Sequence, residues 1–418
     1  DKSISQRVLM IGALMNQEMT VDGFLHAEDP LSTMSALNQI GAGITVDKNG
    51  LVHLSKRQKI FQKADEALNL GNSGTGLRLM LGLTSGMGLN LSFCGDKSLS
   101  SRPMSRVIKP LTEMGANIEA SNGMLPISLS PASFQKQYTY ELPVASAQVK
   151  SSILLAGLAA GIGIEIIEPV QTRDHTERML KNFGADLEIT SKGTKKLIQL
   201  SPSNHLQAKD YTVVGDISSA AFLIVGALIS NSPGLEITNV GMNPSRTGVL
   251  EALQKMGANI EIKNQRLESG EPCADLEVKK SILKGVELSG DIIPNIIGEV
   301  LLSLKDSNAK TRESAYQVLL SLAKVRNDMT TYLQIIVGAL GAQTPHMRSA
   351  AVMALSRLVF EYARTDFTVQ NLLPNLLQTV ILLFDENSRE VIKSVIGFVR
   401  VSVAALNKDQ LEPLLPEL

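Results

Sequence analysis

Residues 71–83 read GNSGTGLRLMLGL, a small-polar, Gly-bracketed turn running straight into a helix that is apolar on nearly every side. Such a helix is predicted to be interior, since a surface helix carries a polar stripe. The pattern recurs. DKSIS (1–5) precedes VLMIGALM, ASAQ (145–148) precedes SSILLAGLAAG, and GDISS (215–219) precedes an apolar run ending FLIVGALI. Ser3, Ser73, Ser146 and Ser218 therefore stand in phase, about seventy residues apart, and spacing of that kind marks an internal repeat.

A second series keeps step with the first. Helices close on Ile40-Gly41-Ala42, Met114-Gly115-Ala116, Phe183-Gly184-Ala185 and Met256-Gly257-Ala258, each followed by a strand-like run. Gly just past a helix is the left-handed C-terminal cap, because no Cβ opposes positive φ. RVIKPLTEM and RTGVLEALQKM carry charge on one side and are expected outside. Each unit reads as inner helix, strand, outer helix and paired strands.

Helix N-termini present unpaired N–H groups and the positive end of a dipole, which suits anions. A lone Ser or Gly there is an ordinary cap as often as a ligand contact. Four in phase point to a shared anion-binding cleft. Cations stand beside them: Lys2 and Arg7, Arg78, then Arg102 and Arg106. Arg offers phosphate a planar fork and Lys a compact charge. Gln148, one residue past Ala147 at a helix head, can bridge two ligands through its amide. His175, in Thr172-Arg173-Asp174-His175, is read equally as a base or as a structural residue. GNSGTG lacks the GKS or GKT ending of a P-loop, and five scattered histidines with two distant cysteines (Cys94, Cys273) make no metal cluster.

These stretches together resemble the bacterial form of the 5-enolpyruvylshikimate-3-phosphate synthase family. The resemblance is carried by DKSISQR, GNSGTGLRLMLG, GDKSLSSRPMSRVIKPLTEMGA, ASAQVKSSILLAGL, TRDHTERMLKNFGA, GDISSAAFLIVGALI and NPSRTGVLEALQKMGANIEI, and covers nearly all of residues 1–297. It implies transfer of the enolpyruvyl group of phosphoenolpyruvate to the 5-hydroxyl of shikimate 3-phosphate, releasing phosphate without metal or organic cofactor. It further implies that Lys2, as catalytic residue, touches both substrates. Ser3, Arg7, Ser146, Ala147, Gln148 and Thr172 would hold shikimate 3-phosphate, while Gly74, Arg102 and Gln148 would hold phosphoenolpyruvate. The fold implied is an inside-out α/β barrel of repeats, three in each of two halves. Residues 1–212 would be one complete half, and 213–297 part of the second.

Some residues depart from the pattern. Gln6 stands where His or Asn is common, and Gly76 replaces the usual Thr. More seriously, LSGDIIPNII (288–297) runs into Gly298 where the family carries its proton-transfer Asp, followed by Glu299-Val300. Acid–base catalysis supplies roughly two to four powers of ten, so undetectable synthase activity is expected. The chain starts at Asp1 without Met, and the N-terminal strand of the family is expected to be missing.

From residue 298 the composition changes. Only Gly298, Gly338, Gly341 and Gly397 of the 32 glycines lie there, and paired amphipathic helices repeat about every forty residues, as in an all-α HEAT-like solenoid. A plain helical bundle is the simpler alternative. DENSREVIKSVIGFVRVSVAAL (385–406) resembles a eukaryotic HEAT-repeat family that processes ribosomal RNA, implying a scaffold for protein partners. Twelve basic against twelve acidic residues from Glu299 onward, and a whole-chain net charge of −1, give no footprint for nucleic acid. Such a join reads as a chimera, and three functions remain: a transferase by descent, an interaction module, or a non-functional chain exposing FLIVGALI. Two cysteines imply a reducing compartment, and cytoplasm is expected, or nucleus and nucleolus if the C-terminal resemblance dominates. No apolar run is judged to reach membrane-spanning length.

Overall fold

All four Gly-Ala junctions fold as the sequence indicates: Gly41, Gly115, Gly184 and Gly257 hold positive φ between 85° and 116°. The computed structural model describes all residues except 57–60, 144–145, 170, 193–194, 203–204, 232, 287–314, 321–322, 324–328, 343–344, 386–387 and 418. Gly298, Glu299 and the expected boundary at 297–298 lie outside the described residues. Two compact units emerge, Asp1–Thr247 with Ala258–Ile282, and Gly248–Gly257 with Leu283–Leu418.

In the first unit one topology appears three times. The first repeat holds α1 (Lys2–Met15), β1 (Met19–Asp22), α2 (Glu28–Gln39), β2 (Ile44–Val46) and β3 (Val52–Leu54). Next come β4 (Leu68–Asn69), α3 (Gly74–Gly86), β5 (Leu91–Cys94), α4 (Lys97–Ser100), α5 (Ser105–Met114), β6 (Asn117–Ser121) and β7 (Met124–Ser130). The third repeat comprises β8 (Gln137–Glu141), α6 (Ala147–Ala160), β9 (Gly163–Glu168), α7 (His175–Asn182), β10 (Leu187–Lys192) and β11 (Lys195–Leu200). Each gives a four-stranded sheet with a parallel leading strand and an antiparallel hairpin: β4-β5-β7-β6, β8-β9-β11-β10 and β12-β1-β3-β2. The leading strand of the first sheet is β12 (Tyr211–Thr212), supplied after the third repeat.

A fourth unit follows: α8 (Ile217–Ile229), β13 (Leu235–Gly241), α9 (Gly248–Lys255), β14 (Asn259–Glu268) and β15 (Glu271–Lys279). Its sheet, β13-β15-β14, has three strands, with a single parallel bridge from Gly215 to Val240 where the others have a leading strand.

Helices predicted as interior are interior. Every residue is buried from Ile4 to Ala13 in α1, from Gly76 to Ser85 in α3 and from Val149 to Gly157 in α6. The α3 and α6 backbones touch: a Cβ on Gly82 would stand 2.2 Å from the Ser152 carbonyl oxygen, and one on Gly86 would stand 2.3 Å from that of Ala156. The outer helix α5 buries only the stripe Val107, Pro110, Leu111 and Met114. The fourth inner helix differs. It buries Ile217, Ala220, Ile224, Ala227 and Leu228 but exposes Phe222, Leu223, Val225 and Ile229, as expected for FLIVGALI.

The second unit is helical: α10 (Met329–Leu340), α11 (Pro345–Tyr362), α12 (Phe367–Ile381) and α13 (Arg389–Ala405). Pairs α10/α11 and α12/α13 stack so that α11 lies on α13 and α10 meets α12, the two-layer order of a helical solenoid. Small residues permit it; Ala350, Ala351 and Ala354 are fully buried. One expectation needs correction. Phe367–Phe384, α12 and the turn after it, is 18 residues long with mean hydropathy 1.3, sufficient in length and composition to cross a membrane. Its Val369, Leu373, Leu376, Leu377 and Val380 face the core of this unit, so packing explains its apolar character.

Candidate functional site

The inner-helix heads are tied to one another by side chains. Ser73 caps α3, accepting from the Gly76 N–H, and Ser146 caps α6, accepting from the Val149 N–H. At α1 and α8 the caps are carboxylates instead. Asp1 accepts from the Ser3 and Ile4 N–H groups and Asp216 from the Ser218 N–H, so Ser3 and Ser218 are the second residues of their helices and do not cap them. A carboxylate satisfies the same N–H groups and also complements the helix dipole.

Gln6 donates to Ser73 Oγ (2.5 Å), Thr33 Oγ1 (3.1 Å) and the Asp29 carbonyl (3.2 Å), joining α1 to α3 and α2. A Cβ at Gly76 would stand 2.6 Å from Ser73 Oγ, 2.7 Å from Thr33 Oγ1 and 3.2 Å from Gln6 Nε2. Positions 6 and 76 thus adjoin, the Ser73 and Thr33 hydroxyls filling the nearer part of the space a side chain at 76 would need and the Gln6 amide standing at its edge. Gln148 donates to Thr75 Oγ1 (2.9 Å), joining α6 to α3. Arg246, for which sequence reading found no role, pairs with Asp1 and with Asp216 (2.6 Å), linking the caps of α1 and α8. Its only sequence signal was an Arg in the turn Asn243-Pro244-Ser245-Arg246.

Among the candidate cations, Arg7 is buried and fully engaged. It donates to Thr176 Oγ1 (2.8 Å), Ser151 Oγ (3.1 Å) and the Ser3 carbonyl (3.0 Å), clamping α1 to α6 and α7. Burial drags its pKa down to about 10, with Glu177 opposing, so it stays charged at neutral pH. Lys2 is half-exposed and pairs with Asp29 at 3.0 Å, a surface contact of small net value that a dianion can displace. Arg78 is buried against the Gly74 and Pro103 carbonyls. Desolvation, then the charges of Arg102 and Arg106, lower its pKa to about 9. Arg102 donates to Asn72 and to Ser98 Oγ, all neutral oxygens, and its buried Nε has no acceptor among the described residues. Positive charge therefore accumulates beside Gly74 at the head of α3.

Behind α6 lies a network that sequence reading missed. Lys150, fully buried, sits 2.9 Å from Glu168 Oε1 and 2.7 Å from Glu177 Oε1. Burial depresses its pKa, but the two carboxylates outweigh that and hold it above the ordinary lysine value. Burial pushes Glu177 upward, only partly countered by Lys150. Glu168 also accepts from the Thr172 N–H (3.0 Å) and hydroxyl, fixing that candidate residue. His175 is buried, its Nδ1 2.7 Å from Glu271 Oε1 and its Nε2 without a partner among the described residues. Burial, opposed by Glu271, lowers its pKa. Of its two readings the structural one fits this enclosure. Among the described residues no group of three or more His, Cys, Asp or Glu could hold a metal, and Cys94 and Cys273 are free thiols.

The arrangement suits two anions held by fixed cations and helix heads. Residues 1–305 match the family model of EPSP synthase (3-phosphoshikimate 1-carboxyvinyltransferase), and residues 287–418 match a model for stalled ribosome sensor GCN1-like HEAT repeats. The 3-phosphoshikimate 1-carboxyvinyltransferase of Petrotoga mobilis is 46% identical over 314 residues, covering 74% of this chain and 72% of the relative. That of Synechococcus elongatus is also 46% identical, over 305 residues, covering 72% and 67%. An EPSP synthase structure from Acinetobacter baumannii superimposes with a TM-score of 0.65 at 38% identity, over 77% of this chain and 76% of the other.

Proposed function

The chain belongs to the EPSP synthase family, and from that premise we propose that the heads of α1, α3 and α6 hold shikimate 3-phosphate and phosphoenolpyruvate. Lys2 would leave Asp29 to lie between both anions. Ser3, Arg7, Ser146, Ala147, Gln148 and Thr172 would hold shikimate 3-phosphate, and Gly74, Arg102 and Gln148 phosphoenolpyruvate. In the family reaction the 5-hydroxyl oxygen loses its proton and bonds to C2 of phosphoenolpyruvate as C3 takes up a proton; C3 then gives up a proton and the C2–O bond to phosphate breaks, so that the double bond re-forms and phosphate departs. Positioning and fixed charge would be the main resource. The observation that carries this reading is Arg102, which donates to the neutral oxygens of Asn72 and Ser98 although two further arginines crowd the same helix head.

The chain by itself is proposed not to complete the transfer, because Gly298 stands where the family is expected to carry its proton-transfer Asp. Functionally the divisions are 1–212, 213–297 and 298–418, with two origins joined within the stretch 287–305 that both family models claim. We place the protein in the cytoplasm. Calorimetric titration with shikimate 3-phosphate, followed by a phosphate-release assay with both substrates, tests the proposal. Weak binding without turnover is the expected result. Turnover by the purified chain would refute the inactivity, and no binding at all would refute the site.

A second reading, a scaffold for protein partners, applies to the C-terminal unit. It is favoured by the α11–α13 groove of about 510 Å³, lined by Arg357, Phe360, Lys393 and Gly397 among others. Pull-down with the intact chain and with an R357E variant tests it.

A further inference from the structure

We infer that the exposed apolar face of α8 is a docking surface for a polypeptide carrying further copies of this chain's own α/β repeat, supplied in trans. The choice of partner rests on the family reading above. Within the first unit, α1, α3 and α6 are less apolar than α8 yet are buried on every side through their central turns, and α3 and α6 make backbone contact at Gly82 and Gly86. The same construction applied to α8 leaves one face uncovered. Phe222 is 82% exposed and Ile229, two turns on, 67%, on the side opposite Ile217, Ala220, Ile224 and Ala227, with Leu223 (58%) at its margin. Gly226 lies within that face with nothing near its Cβ position, a vacancy of the kind that Gly82 uses to admit a neighbouring backbone.

Large apolar patches on a soluble surface mark interaction sites, and this one has a template inside the same molecule. What covers the inner helix α3 is two more inner helices, α1 and α6, each followed by its sheet. The matches leave roughly a quarter to a third of each relative's length uncovered, enough for about two units of the seventy-residue repeat. Each unit cannot bury its own helix face, so association is expected to be hydrophobic and insensitive to salt.

The test is co-production of the full 418-residue chain with the part of the Petrotoga mobilis relative that its match to this chain leaves out. That fragment should be recovered in solution as a 1:1 complex, measured by size exclusion with light scattering, and bound hydrophobic dye should fall at least threefold on capture. F222D and I229D should each weaken capture more than tenfold. Because both side chains face solvent, the variants should keep wild-type far-UV circular dichroism. L267D, at an equally exposed position on β14, should capture like wild type. Failure to recover the fragment, capture indifferent to the two α8 substitutions, or occupation of the face by a second copy of the chain would each overturn the inference. Capture without phosphate release would support the docking and count against the substrate assignment alone.

Discussion

Gln6 and Gly76 adjoin: the Gln6 amide lies 3.2 Å from where a Cβ at position 76 would stand, while donating to the cap hydroxyl of Ser73. The pairing couples two residues seventy positions apart and sets the spacing between the heads of α1 and α3. Gly76→Ala is expected to destabilise by about 1–3 kcal/mol through overpacking. Q6A should relieve part of that cost. A double-mutant cycle by urea denaturation should give a coupling of about 0.5–3 kcal/mol, and strict additivity would refute it.

Lys150 neutralises two buried carboxylates at once. K150M should cost about 3–5 kcal/mol, since it leaves Glu168 and Glu177 buried without their cation. E177Q removes the member already pushed toward its protonated form and should cost much less. Denaturation midpoints at pH 7.5 would reveal the order, and equal losses would contradict it.

The buried His175 makes stability depend on pH in a definite direction. Its folded pKa lies below the ordinary value of 6.5, so the unfolded chain binds more protons as pH falls through that region. This contribution is complete above about pH 6.5 and is lost below it, levelling off under the folded pKa. H175Q should therefore flatten the decline in unfolding free energy between pH 7.5 and 5.5. Parallel pH profiles for variant and wild type would argue that the imidazole does not titrate in this window.

Arg102 and Lys2 should separate by ligand. R102A is expected to abolish most of the thermal protection given by phosphoenolpyruvate while sparing that given by shikimate 3-phosphate, because binding stabilises by mass action. K2M should diminish both. Each change lies at a solvent-accessible position, so unliganded melting temperatures should move little. Loss of both protections in R102A would show the anion assignments to be wrong.

Much of the fold was legible because one pattern was written repeatedly. Gly41, Gly115 and Gly184 end helices visibly, and Ser73 and Ser146 announce the caps they form. The hydroxyl series misled at the ends, where Asp1 and Asp216 cap and the serines sit inside. The three contacts that hold Arg7 lie on α1, α6 and α7, which no local reading brings together. Arg246 was overlooked for the same reason, being 245 positions from the cap it neutralises. Lys150 could have been suspected. A lone lysine in SAQVKSSILLAG, midway through an all-buried helix, must have buried carboxylates for company.

The pairing of β12 with β1 constrains how the chain is made. Val21 pairs early with Val52, but its partner on the other edge comes only at Tyr211, after two intervening sheets have been written. On a ribosome the opening sheet must wait, its edge open, until the whole three-repeat half has emerged. Long-range closure of this kind slows folding, so its success rests on the early segments staying protected throughout synthesis.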